Sequence, residues 1–227
     1  MPRKLLKFCS AVLALASTHA VAAPMTLNAA VLDEINYART QPRDYADTLR
    51  HYRESYEGNV VDDPDEAGIH TTQEGVRAVD EAIAFLERQQ PLPPLYDARL
   101  LSQAAGDHAA EQGRRGDTGH ISANGLTPGQ RVARRGGGIY VAETIAYGFA
   151  TPVAVVRQLI VDDGVAGRGH RSIIFTPTLH YAGAACGPHP VYSAMCVIDF
   201  SPTADGSYGQ PRIAGRSDHG GDRAPMR

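Results

Sequence analysis

Cys186 and Cys196 stand ten residues apart, on either side of Gly187-Pro188-His189-Pro190. Gly and Pro packed this closely stop regular structure and turn the chain. Residues 181–186 before the turn and 191–200 after it carry β-branched and aromatic side chains, so the segment reads as an antiparallel hairpin. In an exported chain a disulfide would close it; two free buried thiols are the alternative. A bridge closing a loop of this length stabilises by roughly 2.5–3 kcal/mol on the chain-entropy estimate.

The pairing depends on where the mature chain begins. The N-terminus has a basic start (Arg3, Lys4, Lys7), an apolar run over residues 8–16 and a small-residue end at Ala20-Val21-Ala22. These are the three parts of a secretory signal, with cleavage expected after Ala22. The run is too short to cross a bilayer, and no later stretch reaches the length a spanning helix needs. Residues 1–22 also hold Cys9, so their removal leaves an even pair of cysteines. Both lysines leave with Arg3, which moves the net charge from −3 to −6. An acidic chain without a basic cluster speaks against nucleic acid or an anionic membrane as partner.

Periodicity sets out the rest. Leu32, Ile35 and Ala38 follow Asn28, a helix-capping residue type, and Pro42 can open a second helix with Tyr45, Leu49 and Tyr52 on one stripe. Residues 56–70 are acidic and read as a loop. A third helix is expected over 74–88, then a stiff connector over 91–95, then a helix over 98–113 capped by Asp97. A short helix over 129–135 ends at Gly136-Gly137-Gly138. Thr151 caps a helix that reaches Val161. Residues 170–176 and the hairpin supply strands, and the 26 residues from Pro202 read as a disordered tail. The class is α+β, with one domain over 23–201.

No local catalytic motif is present. There is no metalloprotease helix signature, phosphate loop or serine-nucleophile elbow, and the triple glycine lacks the strand–turn–helix setting of a phosphate site. Polar residues in tight surroundings stand out instead: His120 after Gly119, Glu143 inside Val141-Ala142-Glu143-Thr144-Ile145-Ala146, and His170 in Gly169-His170-Arg171. A carboxylate in an apolar segment must be paired or hydrogen-bonded. His108 sits on the apolar stripe of its helix and reads as a core histidine with a bonded ring. His180 and His189 flank the hairpin as surface or turn residues, and His219 falls in the tail. Ser122 carries no sign of activation as a nucleophile.

The order of these blocks resembles the CAP superfamily of cysteine-rich secretory proteins, antigen 5 and group-one plant pathogenesis-related proteins. The blocks are Gly119-His120, Glu143-Thr144-Ile145-Ala146, Gly169-His170-Arg171 and the Cys186-Gly187 hairpin. The likeness covers residues 32–200 and is similar to the bacterial, SCP-like branch. It implies a three-layer α–β–α sandwich whose cleft is lined by two histidines and two acids. Those positions fall on His120, His170, Glu143 and Asp162, with Asp163 as the alternative second acid. Thr144 stands where the family usually has Asn, and the tryptophan that usually precedes the second acid is absent. The resemblance implies an exported binding protein able to hold a divalent cation such as zinc on His120 and His170, and a lipid, sterol or cell-envelope ligand. Two rivals stand beside it: a metal-dependent, peptidase-like hydrolase using Glu143 as general base, and a structural envelope protein with an inert cleft.

Overall fold

The computed structural model describes residues 25–63, 65–66 and 68–208. The expected signal segment and residues 209–227 lie outside them. Helices α1 (Leu27–Thr40) and α2 (Pro42–Arg53) lead into three short strands, β1 (Tyr56–Glu57), β2 (Val60–Asp62) and β3 (Ile69–Thr71). Then come α3 (Val76–Arg88), β4 (Tyr96–Asp97), α4 (Arg99–Arg115), α5 (Pro128–Arg134) and β5 (Ala142–Tyr147). The chain ends in α6 (Pro152–Val161), α7 (Gly169–Ile174), β6 (Tyr181–His189) and β7 (Ser193–Ser201).

The main sheet has the order β4-β6-β7-β5. β6 and β7 form the expected hairpin, with Cys186 directly opposite Cys196 and the two joined by a disulfide. Side chains alternate across β7. Cys196, Ile198 and Phe200 enter a large core built with α1, α2, α3 and α6, while Met195 and Val197 meet Ala105 and Ala109 of α4 on the other face. Helices therefore cover both faces, which makes the α–β–α sandwich, and β5 is left as one edge. Gly183 of β6 lets α4 close in: a Cβ there would lie 2.1 Å from the Ser102 nitrogen.

Several local expectations are corrected. Residues 56–70 are not a plain loop but hold the β1-β2-β3 sheet, entered by a two-residue turn at Gly58-Asn59 between Glu57 and Val60. Gly58 supplies the positive φ of 64° that such a turn needs. Residues 170–176 hold helix α7 rather than a strand. Its first turn is anchored by Asp162, which accepts the N–H groups of His170 at 2.9 Å and Arg171 at 3.4 Å. Thr26, not Asn28, caps α1; Asn28 instead accepts the Cys186 N–H at 2.9 Å. Asp97 does not cap α4, whose first turn has no side-chain cap, but accepts the Ser102 hydroxyl at 3.1 Å.

The expected tail from Pro202 begins too early. Residues 202–208 pack on the triple glycine: Gly138 N–H reaches Asp205 O at 2.8 Å and Tyr140 N–H reaches Gly206 O at 2.9 Å. A Cβ on Gly137 or Gly138 would come within 2.2 Å of those carbonyl oxygens. Gly137 and Gly138 thus admit a crossing chain, whereas Gly136 is set by its positive φ of 90°.

Candidate functional site

The edge strand β5 organises the polar residues. Glu143 points toward the α4–α5 face and is buried, where it accepts the His120 Nδ1–H at 2.8 Å and an ion pair from Arg131. Arg131 comes from α5, which a Thr127–Gln130 capping box starts. Besides Glu143 it donates to His120 O at 2.9 Å and to Ser122 Oγ and Leu126 O at 3.4 Å each. Its guanidinium therefore ties the His120 loop to the strand.

A second layer fixes the same loop. His108 is fully buried, with Nε2 at 2.8 Å from Gly119 O and Nδ1 at 3.3 Å from Ser122 Oγ. A carbonyl can only accept, so Nε2 carries the proton and Nδ1 accepts from the serine hydroxyl. Gln112 also donates to Gly119 O at 2.6 Å, and Tyr147 Oη takes the Gly119 N–H at 2.9 Å while donating to Gln112 Oε1 at 2.7 Å. His108 is a bonded core histidine. His189, by contrast, is not a surface residue. It sits at the hairpin turn but is buried against Tyr147 and Tyr192, with Nε2 donating to Asp117 O at 2.9 Å.

The other histidine and acid approach β5 through α6 and α7, which pack on it from the opposite face. Asp162 is fully buried at the end of α6 with φ 58° and ψ 41°, a left-handed conformation that Asp tolerates because its short carboxylate bonds nearby amides. Its Oδ1 takes the His170 Nδ1–H at 2.6 Å. Asp163 has a different task, accepting the Gln73 and Glu74 N–H groups at 2.6 and 2.8 Å. Arg171 covers the carbonyl end of α6, donating to Ile160 O at 2.5 Å and Val161 O at 2.9 Å.

Four residues named from sequence thus form two pairs, His120–Glu143 and His170–Asp162, flanking one edge strand. In each, a buried carboxylate holds the Nδ1–H, and Nε2 has no hydrogen-bond partner among the described residues. The His120 and His170 side chains remain 47% and 18% exposed, so solvent reaches both. Among the described residues, no three His, Cys, Asp or Glu side chains form a metal-ligand group.

Sequence reasoning missed two members. Arg131 carried no signal beyond its place in a short helix. Asp199 carried the same signal as Glu143, a carboxylate between apolar strand residues, and lies directly opposite Glu143 in the sheet. It is completely buried, and neither oxygen has a hydrogen-bond partner among the described residues. Burial, and then the negative charge of Glu143, push its carboxyl well above the ordinary range, with Arg131 opposing. Burial therefore favours the neutral form of Asp199.

The sequence matches the family described as "CAP: Cysteine-rich secretory protein family" over residues 32–200. The chain belongs to the CAP family. Solved structures similar to this CAP chain include an outer surface protein from Borrelia burgdorferi (19% identity, TM-score 0.40), covering 48% of this chain and 77% of that one. An extracellular protein containing a SCP domain from Bacillus anthracis is 19% identical with a TM-score of 0.41. A cysteine-rich secretory protein from Staphylococcus aureus is 12% identical with a TM-score of 0.34. Each of these two likenesses covers 55% of this chain but only 37% of the other protein. No curated protein matches the sequence significantly. Among the described residues, no helix of this CAP domain is long and apolar enough to cross a membrane.

Proposed function

We propose that this CAP domain is an exported binding protein whose cleft holds a divalent cation such as zinc on the Nε2 atoms of His120 and His170, beside a lipid, sterol or envelope ligand. One observation carries the reading: both rings are oriented through Nδ1 by a buried carboxylate. That hydrogen bond fixes the tautomer and leaves the Nε2 lone pair free, which is how a carboxylate behind the ring prepares a metal-binding histidine. Glu143 and Asp162 are then orienters rather than ligands. Two imidazoles are fewer than the three protein ligands of a catalytic zinc site, so they suit a cation that completes its shell with water or a ligand. Glu143 already serves His120 and Arg131. A carboxylate committed to two donors makes a poor general base, which favours binding over hydrolysis. The Cys186–Cys196 disulfide supports an oxidising, extracytoplasmic location.

The test is thermal unfolding of the mature chain with zinc and with chelator. Zinc at a hundred times its dissociation constant should stabilise by about 2.7 kcal/mol, and chelator should reverse the gain. His120→Ala and His170→Ala should each remove most of it. A melting temperature that ignores zinc, or a gain that survives in the double variant, overturns the reading.

A further inference from the structure

A groove of about 540 Å³ opens between α4, α5 and the loop that follows His120. None of His120, Glu143, Asp162 and His170 lines it. From α4 it takes Asp107, Glu111 and Arg114, which stand at i, i+4 and i+7 and so share one helix face. Arg131, Arg134 and Arg135 line it from α5 and its C-terminal cap, and Asn124 and Leu126 from the loop.

The lining is cationic in a chain that is acidic overall. Four arginines meet two acids in the wall, and they still outnumber the acids four to three when Glu143, paired with Arg131, is counted. The sequence alone does not show this cluster, because the fold gathers it from two helices.

Partners sort the four arginines. Arg135 is spent on Asp107, donating to both its oxygens at 2.7 Å. Arg131 is buried and paired with Glu143. Glu111 accepts the Ala123 N–H at 3.1 Å. That leaves Arg114 and Arg134, both exposed and both without a carboxylate or hydrogen-bond partner among the described residues.

The rest of the wall narrows the class of ligand. Leu126 is the one apolar side chain in it, and no aromatic side chain lines it. A lipid chain would find no apolar surface there, and a flat ring no aromatic partner. A guanidinium fork is matched instead by a carboxylate or a phosphate, either of which takes two parallel N–H bonds. A cleft lined mainly by one sign of charge also concentrates ions of the other.

We propose that this groove binds a small hydrophilic polyanion whose phosphate or carboxylate groups are held by Arg114 and Arg134. The site is separate from the two histidine pairs and does not depend on their reading.

Calorimetric titration of the mature protein at low salt tests it with two probes, inorganic tripolyphosphate and propane-1,2,3-tricarboxylate. At least one should bind saturably, and the tighter of the two tells a phosphate ligand from a carboxylate one. Acetate, with a single charge, should bind about tenfold more weakly than the tighter probe. Arg114→Gln and Arg134→Gln should each weaken that probe about threefold and together about tenfold, the range of two solvent-exposed ion pairs. Arg99→Gln removes the same charge from an exposed residue at the other end of α4 and should leave the affinity unchanged. Absence of saturable binding by both probes, acetate binding as tightly as either, or a loss in Arg99→Gln equal to that of the groove variants each overturns the proposal. So do Arg114→Gln and Arg134→Gln proteins that bind as the native chain does. Each single variant is read on its own, so the test stands even if the double variant fails to fold.

Discussion

The two faces of the main sheet are packed by opposite means. On the side of α1, α2, α3 and α6, the strands contribute Ala182, Ile198 and Phe200 to a broad apolar core with Leu49, Leu86, Leu159 and Ile160. Burial there is non-directional and tolerates repacking. Arg39 is buried on this side, donating to the carbonyls of Pro93 and Leu179 at 3.2 Å, Thr176 at 3.3 Å, and Ile174. Its pKa falls to about 10 through burial, so it remains a cation at neutral pH and pins the 91–95 connector to the chain after α7. On the side of α4 and α5, apolar contact is limited to small clusters, and His108, Gln112, Ser122, Arg131, Glu143 and Asp199 are all buried. The first face supplies stability. The second spends buried polar groups to hold the His120 loop in one place, a directional task that apolar packing cannot perform.

If that contrast is right, the polar face should fail hardest when one charge is taken from it. Arg131→Met leaves Glu143 buried with only His120 as partner and strips three acceptors of their donor. Breaking a buried pair from one side costs about 3–5 kcal/mol, which urea denaturation of the mature chain would read. A loss under about 1 kcal/mol would mean that the network is not coupled to the fold.

Asp199 tests the same face through pH. Its carboxyl is raised in the folded protein, first by burial and then by Glu143, so the folded chain holds a proton that the unfolded chain gives up above about pH 4. The stability tied to that proton is complete below the unfolded pKa and is lost as pH rises toward the folded one. Asp199→Asn, neutral at every pH, should therefore gain on the native chain as pH rises above about 4, by up to about 1.4 kcal/mol per pH unit until the folded carboxyl ionises. Denaturation midpoints of the two proteins that run parallel over this range would show that Asp199 is ionised when folded.

How much of this was legible in the sequence follows from the range of each interaction. The hairpin was readable because its turn and both strands lie within twenty residues. Glu143 was readable because its own neighbours are apolar. Asp199 offers the same local cue between Ile198 and Phe200, but the resemblance places its two acids at Glu143 and Asp162. The Gly58-Asn59 turn has a local signal between Tyr56-Glu57 and Val60-Val61, but the strands are only two or three residues long and acidic residues follow them. Helix α7 was not legible, because Ile173-Ile174-Phe175 favours a strand locally and the cap that decides the matter sits eight residues earlier. Gly137 and Gly138 likewise have no local meaning, since the segment they admit comes from residues 205 and 206.

The neighbouring acids Asp162 and Asp163 give the finest form of the comparison, two adjacent carboxylates with different work. Asp162 holds a ring and a helix start, whereas Asp163 holds only two amides of the chain before α3. Asp162→Asn keeps the left-handed conformation, which Asn also tolerates, but replaces charge-assisted bonds with neutral ones. It should cost about 1 kcal/mol, the difference between charge-assisted and neutral hydrogen bonds. More tellingly, nitrogen chemical shifts of the His170 ring should move from a single Nδ1–H form to a mixture of tautomers, because an amide group can serve either as donor or as acceptor. Asp163→Asn keeps only one of two acceptors, so it should cost about one hydrogen bond, roughly 0.5–1.5 kcal/mol, and leave the His170 ring untouched. Should both variants shift the ring equally, its order would come from the packing of α6 and α7 as a whole rather than from the Asp162 carboxylate, and the case for a prepared Nε2 would lose half its support.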